Sequence, residues 1–174
     1  FISGLGADKR AFSFLDLTFC EPIFIDWIKP VDNESLYQYA MRLKEQINEP
    51  SPTIVGVSFG GMLATEIAKS DASAKVIIIS SNKIKKEFPK ILLIGKYIPL
   101  YKWIPSTILK KAGAFRVRFF GPKGENQKKI FNQILKDTDT KFTKWAIHSI
   151  LHWGNKIEPI NITHIHGTSD TLLP

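Results

Sequence analysis

The residues with the clearest chemical potential surround Ser58, which lies between Gly56 and Gly60. An apolar, β-branched run precedes this motif and apolar residues at helical spacing follow it, so a strand is expected to turn into a helix here. Such a sharp turn holds a serine hydroxyl out of the sheet, where a base and N–H donors for an oxyanion can reach it. The spacing therefore predicts a nucleophile elbow with Ser58 as the nucleophile.

The two flanking glycines fit the same geometry. The turn brings backbone segments close together, so we expect a Cβ at Gly56 or Gly60 to press on the neighbouring strand or helix. The bare motif has only three fixed positions and arises by chance in many proteins. The strand pattern from Ile54 to Val57 and the helical pattern after Gly61 supply the context that the motif requires.

Two further segments extend the pattern to both ends of the chain. Residues 1–8, Phe-Ile-Ser-Gly-Leu-Gly-Ala-Asp, are similar to the strand end and glycine-rich loop that donates an oxyanion N–H in the α/β-hydrolase superfamily. Residues 164–174, His-Ile-His-Gly-Thr-Ser-Asp-Thr-Leu-Leu-Pro, resemble the late strand of that family, whose following turn carries the catalytic acid. The three motifs stand in the family's order, so the chain resembles an α/β-hydrolase.

The resemblance implies a role for each matched residue. Ser58 is the nucleophile, Asp170 is the acid that orients a histidine, and the backbone N–H groups of Phe59 and Leu5 form the oxyanion hole. Ser3 departs from the family pattern, because many members have histidine there, and this leaves the side-chain bracing of the loop open. An alternative for Asp170 is a turn residue that bonds its own backbone.

The implied function is that of a serine hydrolase that cleaves a carboxylic ester or thioester through an acyl-enzyme on Ser58. An acyltransferase, a lyase or C–C hydrolase on the same scaffold, and a non-catalytic ligand-binding member are alternatives that the visible residues do not separate. Some family members place the acid one strand earlier. Here that strand, residues 75–82, ends in Ser-Ser-Asn without a carboxylate, which leaves Asp170 as the candidate.

The general base is the missing part of the pattern. The family order places the catalytic histidine after the acid, yet the chain stops four residues after Asp170. We therefore expect the chain to be a fragment that lacks a short N-terminal piece and a C-terminal strand and helix. We also expect this fragment to be inactive as a hydrolase.

Four histidines are present and invite other interpretations. His148 and His152 lie four residues apart on a predicted helix, where they could share a metal ion or reach Ser58 as a base, but no third ligand accompanies them. His164 and His166 share one face of a predicted strand, and we assign them a packing role. No nucleotide-binding loop, metal cluster or cofactor signature is visible, so we predict neither a metal nor a cofactor.

The order of the predicted elements indicates an α/β fold. Strands are predicted at Pro22–Trp27, 54–57 and 75–82, and a helix capped by Asn33 lies between the first two. Because the strands are continuously apolar, we expect a three-layer α/β/α architecture with a mostly parallel sheet, the α/β-hydrolase fold.

The connection between residues 82 and 161 is several times longer than a parallel crossover requires. We assign residues 83–155 to a helical cap and residues 1–82 and 156–174 to the core. Residues 83–144 carry 16 Lys and Arg against four acidic residues, although the whole chain has a net charge of only +8. The basic residues are scattered among acids and amides, which favours a solvated face over a surface that attracts anionic ligands or membranes.

Composition sets the remaining expectations. The 174 residues are 44% apolar, which is enough for one domain with a substantial core, and no apolar stretch is long enough for a transmembrane helix. The single cysteine, Cys20, is predicted to be a buried thiol, which favours a reducing, cytoplasmic compartment. We expect a small-molecule, ester-like substrate with an apolar group, no nucleic-acid partner and no stable membrane insertion.

Overall fold

The computed structural model describes residues 1–88, 96–97, 101, 103–105, 107 and 124–168. Asp170 lies outside these residues. Short 3-10 helices occur at Lys9–Phe12 and Lys85–Glu87. The longer elements, in chain order, are α1 (Leu36–Lys44), β1 (Thr53–Val57), α2 (Phe59–Ser70), β2 (Lys75–Ile79), α3 (Glu125–Asp137), α4 (Thr140–His152) and β3 (Ile162–Ile165).

The strands form a parallel sheet in the order β1-β2-β3. Gly56 of β1 lies opposite Ile78 of β2, and Ile78 lies opposite His164 of β3. On the other side of β1, Ile2 forms a single parallel bridge with Gly56. A parallel sheet connected through helices places the chain in the α/β class, as the alternating pattern predicted.

The helix α2 lies at the centre of the packing. Every residue from Phe59 to Ala68 is buried, because the helix packs against β1, β2 and α1. Two of its first three residues are glycines, Gly60 and Gly61, so the first turn of the helix can approach the sheet closely. The helix that carries the predicted nucleophile at its N-terminus is therefore enclosed by the protein.

The start of α1 differs from the prediction in one detail. Asn33 does not cap the helix; Ser35 does, and it forms a capping box with Gln38. Asn33 instead adopts a left-handed backbone with φ 60° in the preceding turn. Both residue types favour helix starts, and the glutamine three residues after Ser35 decides between them. The apolar face of the helix, which includes Tyr39 and Leu43, is buried.

The predicted strand at Pro22–Trp27 is wrong. The structure assigns no regular element to these residues. Two hydrogen bonds join them to Phe1, beside the edge of the sheet: the Ile25 N–H donates to the Phe1 carbonyl at 2.9 Å, and the Phe1 amino group donates to the Ile23 carbonyl at 2.6 Å. Apolar β-branched residues predict an extended segment, but a strand also needs a continuous ladder of partners, and Ile2 pairs with β1 at only one position.

Within the predicted cap, residues 83–155, α4 joins the main hydrophobic core. Phe142 and Ala146 are buried in the same cluster as Tyr39 and Phe59, and the rings of Trp27 and Phe142 lie 5.1 Å apart. The aromatic side chains of α4 thus dock on α1 and α2. The division of the chain at residues 82 and 155 stays a prediction.

Two other features of the described residues bear on the sequence analysis. The thiol of Cys20 is exposed, so the predicted buried cysteine is wrong. The residue follows a short turn at Leu17, and apolar neighbours in sequence do not become neighbours in space there. Within the part of the chain that the structure describes, no helix is both long and apolar enough to cross a membrane.

Candidate active site

Ser58 lies between the end of β1 and the first residue of α2. Its backbone has φ 53° and ψ −117°, a conformation that side chains with a Cβ rarely adopt. The Ser58 N–H donates to the carbonyl of Ile79 at the end of β2, and its own carbonyl accepts from the N–H of Gly61. A strained serine at the junction of a strand and a helix is the geometry expected of a nucleophile elbow.

The glycines around Ser58 are required by close backbone contacts. A Cβ on Gly56 would lie 2.5 Å from the Gly60 carbonyl oxygen and 2.6 Å from the Gly61 Cα. A Cβ on Gly60 would collide with the carbonyl oxygens of Ile2 and Ser3. The predicted need for glycine is confirmed at both positions. The second contact also shows that the turn packs directly on the N-terminal segment.

The N-terminal loop lies beside Ser58. A Cβ built on Gly4 would be 3.6 Å from the Ser58 Cβ. The Ala7 N–H donates to the Gly4 carbonyl at 2.9 Å, and Gly6 has φ 75°, so the backbone turns tightly through Leu5. Leu5 directly follows Gly4, the residue of the loop that lies beside Ser58.

Two hydrogen bonds to the carbonyl oxygen of Ala7 hold the N-terminal loop in place. The Ser3 hydroxyl donates to the Ala7 carbonyl at 2.8 Å, and the indole N–H of Trp27 donates to the same oxygen at 2.6 Å. Ser3 is buried and forms this bond within the loop. The serine that departs from the family pattern thus has a bracing role here, together with an indole that the sequence analysis did not anticipate.

The first N–H groups of α2 point away from the helix interior. Phe59 is the first helical residue, and N–H groups in a first helical turn have no carbonyl partner within the helix. The aligned peptide dipoles also make this end of the helix favourable for negative charge. The Phe59 N–H thus lies where negative charge is favoured, and its role as an oxyanion donor, which the resemblance implies, stays a prediction.

Ser81 is a supporting residue that the sequence analysis missed. Its side chain is buried, and the hydroxyl donates to the Ser58 carbonyl at 2.6 Å. A Cβ on Gly61 would collide with this hydroxyl. The contact joins the end of β2 to the elbow across 23 positions of sequence. The Ser-Ser-Asn sequence after β2 carries no carboxylate, and its local pattern does not indicate which of these side chains hydrogen-bonds to the turn.

Asn82 follows Ser81 and carries an unusual buried amide. Its side chain is 3% exposed, and within the described residues its Oδ1 atom has no hydrogen-bond partner. A buried acceptor without a donor is costly, so a donor from elsewhere would stabilise it. The predicted acid, Asp170, belongs to the residues outside the description, and its relation to Ser58 stays a prediction.

The four histidines are described, and they form two separate pairs. His148 and His152 face each other on α4 with ring centroids 4.0 Å apart. His164 and His166 lie at the end of β3, with the Nε2 of the first 3.1 Å from the Nδ1 of the second. His164 is exposed and His166 is half-buried, so the packing role predicted for His164 is wrong.

A cavity of about 680 Å³ lies between the start of α1 and the C-terminal ends of α2 and α4. Its wall contains the buried carboxylate of Glu66, which accepts from the Trp153 indole at 2.6 Å and pairs with Lys69 at 2.7 Å. Ser58 does not line this cavity. Since the strained backbone and the donor groups are at Ser58, we place the candidate chemistry there and regard Glu66 as a structural residue.

The chain matches no family model, and no curated protein is similar enough to stand as a relative. The geometry around Ser58 is therefore the main structural basis for assigning a function.

Proposed function

We propose that this protein is a serine hydrolase of the α/β-hydrolase type that cleaves a carboxylic ester or thioester. The observation that carries the proposal is the strained backbone of Ser58, with φ 53° and ψ −117°, between a parallel strand and a buried helix. Strain of this kind costs on the order of 1–3 kcal/mol and persists where the surrounding structure enforces it. The contacts of Gly56 and Gly60 supply that enforcement.

In the proposed reaction, the Ser58 hydroxyl oxygen attacks the carbonyl carbon of the substrate while its proton passes to a general base. The carbonyl oxygen gains negative charge, which the N–H groups of Phe59 and Leu5 stabilise by hydrogen bonds. The tetrahedral intermediate expels the alcohol or thiol, which takes up the proton. Water then attacks the acyl-enzyme in the same way and regenerates the serine.

The roles assigned to the other residues follow from the same hypothesis. Asp170 orients the histidine that serves as base, and the resemblance places that histidine later in the family's chain order. The adjacency of Gly4 and Ser58 supports the assignment of Leu5, because a donor one residue further along a tight turn remains close to the serine.

The proposed substrate carries an apolar acyl or alkyl group. The predicted cap, residues 83–155, carries large exposed aromatic side chains: Tyr97 is 81% exposed and Trp103 is 84% exposed. Apolar surface of this kind gains free energy when a hydrophobic group covers it, about 0.8 kcal/mol for each buried methylene. Turnover of p-nitrophenyl esters should then become more efficient from acetate towards medium chains.

A fluorophosphonate probe tests the nucleophile directly. The protein expressed from its complete reading frame should form one covalent adduct, which mass spectrometry locates on the peptide that contains Ser58. The Ser58→Ala variant should lose the adduct, whereas Ser70→Ala, at the far end of α2, should keep it. A folded wild-type protein that shows no adduct would contradict the proposal.

A further inference from the structure

The two histidines at the end of β3 lie side by side. The Nε2 atom of His164 is 3.1 Å from the Nδ1 atom of His166, and their ring planes are nearly perpendicular, at 84°. The residues are two positions apart, so both side chains project from the same face of the extended chain. His164 is exposed and His166 is half-buried, which leaves the pair open to solutes.

The separation of the two nitrogens suits a shared metal ion. Imidazole nitrogens bind Zn²⁺ at roughly 2.0–2.1 Å. Two nitrogens 3.1 Å apart at that distance subtend an angle of about 100° at the metal, between the octahedral and the tetrahedral values. A bound ion would replace the hydrogen bond that joins the two rings in the metal-free protein. The two nitrogens are already adjacent, so each ring needs to turn only until its lone pair points at the ion.

The backbone of Ser81, which follows the neighbouring strand, lies close to His164. Histidines that bind metals usually donate from their second ring nitrogen to a carboxylate, a backbone carbonyl or water, which fixes the orientation of the ring. A backbone group suited to that role is therefore near His164.

The charges around the pair permit a cation. Lys83 is close enough to influence His164, but its ammonium group forms ion pairs with Glu158 and, at 3.6 Å, with Glu87. Its positive charge is therefore balanced by two carboxylates. Among the described residues, no cluster of three or more His, Cys, Asp or Glu could hold a metal, so water would fill the remaining positions.

We propose that His164 and His166 form a two-histidine site for a divalent transition-metal ion of the Cu²⁺, Ni²⁺ and Zn²⁺ group. Imidazole favours these ions, whereas Mg²⁺ and Ca²⁺ prefer oxygen ligands. With two protein ligands the ion is exchangeable and keeps open coordination positions. The site does not depend on the proposed hydrolase activity, and its test does not measure that activity.

The second histidine pair provides a matched control. His148 and His152 are stacked, with ring centroids 4.0 Å apart and an angle of 32° between the planes. The Nδ1 of His152 contacts the His148 carbonyl, and the Nδ1 of His148 contacts the Tyr101 hydroxyl. In this pair both Nδ1 atoms already have contacts outside the pair, whereas the contact between His164 and His166 joins two ring nitrogens directly. The two pairs therefore have equal composition but different geometry.

The experiment is calorimetric titration of the protein, purified without a histidine tag, with Cu²⁺, Ni²⁺, Zn²⁺ and Mg²⁺ in a non-coordinating buffer. We expect one site, with Cu²⁺ bound more tightly than Ni²⁺ or Zn²⁺ and no heat from Mg²⁺. His164→Gln and His166→Gln should each weaken binding by about tenfold or more. The double variant His148→Gln/His152→Gln should bind as the wild type does.

A spectroscopic measurement on the unmodified protein complements the variants. The paramagnetic resonance spectrum of bound Cu²⁺ should show hyperfine coupling to two imidazole nitrogens, and His164→Gln should reduce this to one. The proposal is overturned if the wild type binds none of the transition metals, if the folded His164→Gln variant binds them unchanged, or if binding is lost only in the His148/His152 double variant.

Discussion

The buried hydroxyl of Ser81 donates a 2.6 Å hydrogen bond to the backbone carbonyl of Ser58. This bond links the end of β2 to the residue with the most unusual backbone of the site. It acts on the carbonyl side of Ser58, while the N–H side is held by the carbonyl of Ile79 at 2.9 Å. The strained residue is thus held on its N–H side by the last residue of β2 and on its carbonyl side by Ser81, two residues later.

Removal of that hydroxyl should loosen the elbow. Ser81→Ala should lower the free energy of unfolding by about 1 kcal/mol, as expected for one buried hydrogen bond, and should slow labelling of Ser58 by the fluorophosphonate. The control is Ser70→Ala, which removes a similar 2.8 Å bond to the Ile67 carbonyl at the other end of α2. Equal labelling rates in the two variants would show that Ser81 does not position the serine.

The strain at Ser58 should be measurable as a difference between two variants. Ser58→Gly should be more stable than Ser58→Ala by about 1 kcal/mol, because glycine adopts a positive φ without a steric penalty. Urea unfolding of both proteins gives this difference. The buried Ser149 in α4, whose hydroxyl has no partner within the described residues, offers the opposite case. There the glycine variant should be the less stable, by about 1 kcal/mol.

A methyl group at Gly60 should disturb both the helix and the N-terminal segment. Its Cβ would collide with the carbonyls of Ile2 and Ser3, and such overpacking costs typically about 1–3 kcal/mol despite the better helix propensity of alanine. Gly154→Ala is the control, since a Cβ there would have no neighbour within 4 Å and should change stability by less than about 0.5 kcal/mol. A Gly60→Ala protein with the stability of the wild type would mean that the two segments can separate freely.

Acid should weaken the end of α2 through Asp71. Hydrogen bonds from Ser73, and then from Lys44, hold the pKa of Asp71 at about 2. The depressed pKa means that this stabilisation is present above the unfolded-state value of about 3.9 and is lost as the pH falls towards 2. Asp71→Asn should flatten the pH dependence of the urea unfolding midpoint between about pH 4 and about pH 2. Ser73→Ala should flatten it more than Lys44→Met does.

The role of Asp170 predicts a kinetic signature. If this carboxylate orients the catalytic histidine, Asp170→Asn should reduce kcat by about four orders of magnitude and leave the KM nearly unchanged. Steady-state kinetics on a p-nitrophenyl ester measures both. A decrease smaller than about tenfold would assign the acid to another residue.

The sequence predicts those parts of the site that depend on local pattern. The strand-to-helix turn at Ser58 and the need for glycine at positions 56 and 60 follow from a few consecutive residues, and the structure confirms both. The brace from Ser81 could not be predicted, because it joins residues 23 positions apart and any polar residue at the strand end would give the same pattern.

Burial was harder to predict than the secondary structure. Cys20 and His164 stand in apolar sequence but are exposed in the structure. Apolar neighbours in the sequence indicate that a residue belongs to a helix or a strand. Whether the residue is buried depends on another helix or strand that covers the same face. The strand predicted at Pro22–Trp27 failed for the same reason, since pairing is a property of two segments.

The contact of Gly60 with the carbonyls of Ile2 and Ser3 is made by backbone atoms alone, so no change of side chain in the N-terminal loop can replace it. The loop should therefore accept changes of side chain more readily than position 60 accepts any residue other than glycine. A saturation library scored for folded protein should show this asymmetry, with many residue types accepted at the half-buried Leu5 and very few at Gly60. The backbone contact at Gly60, rather than any side chain of the loop, therefore sets the position of the proposed oxyanion donors.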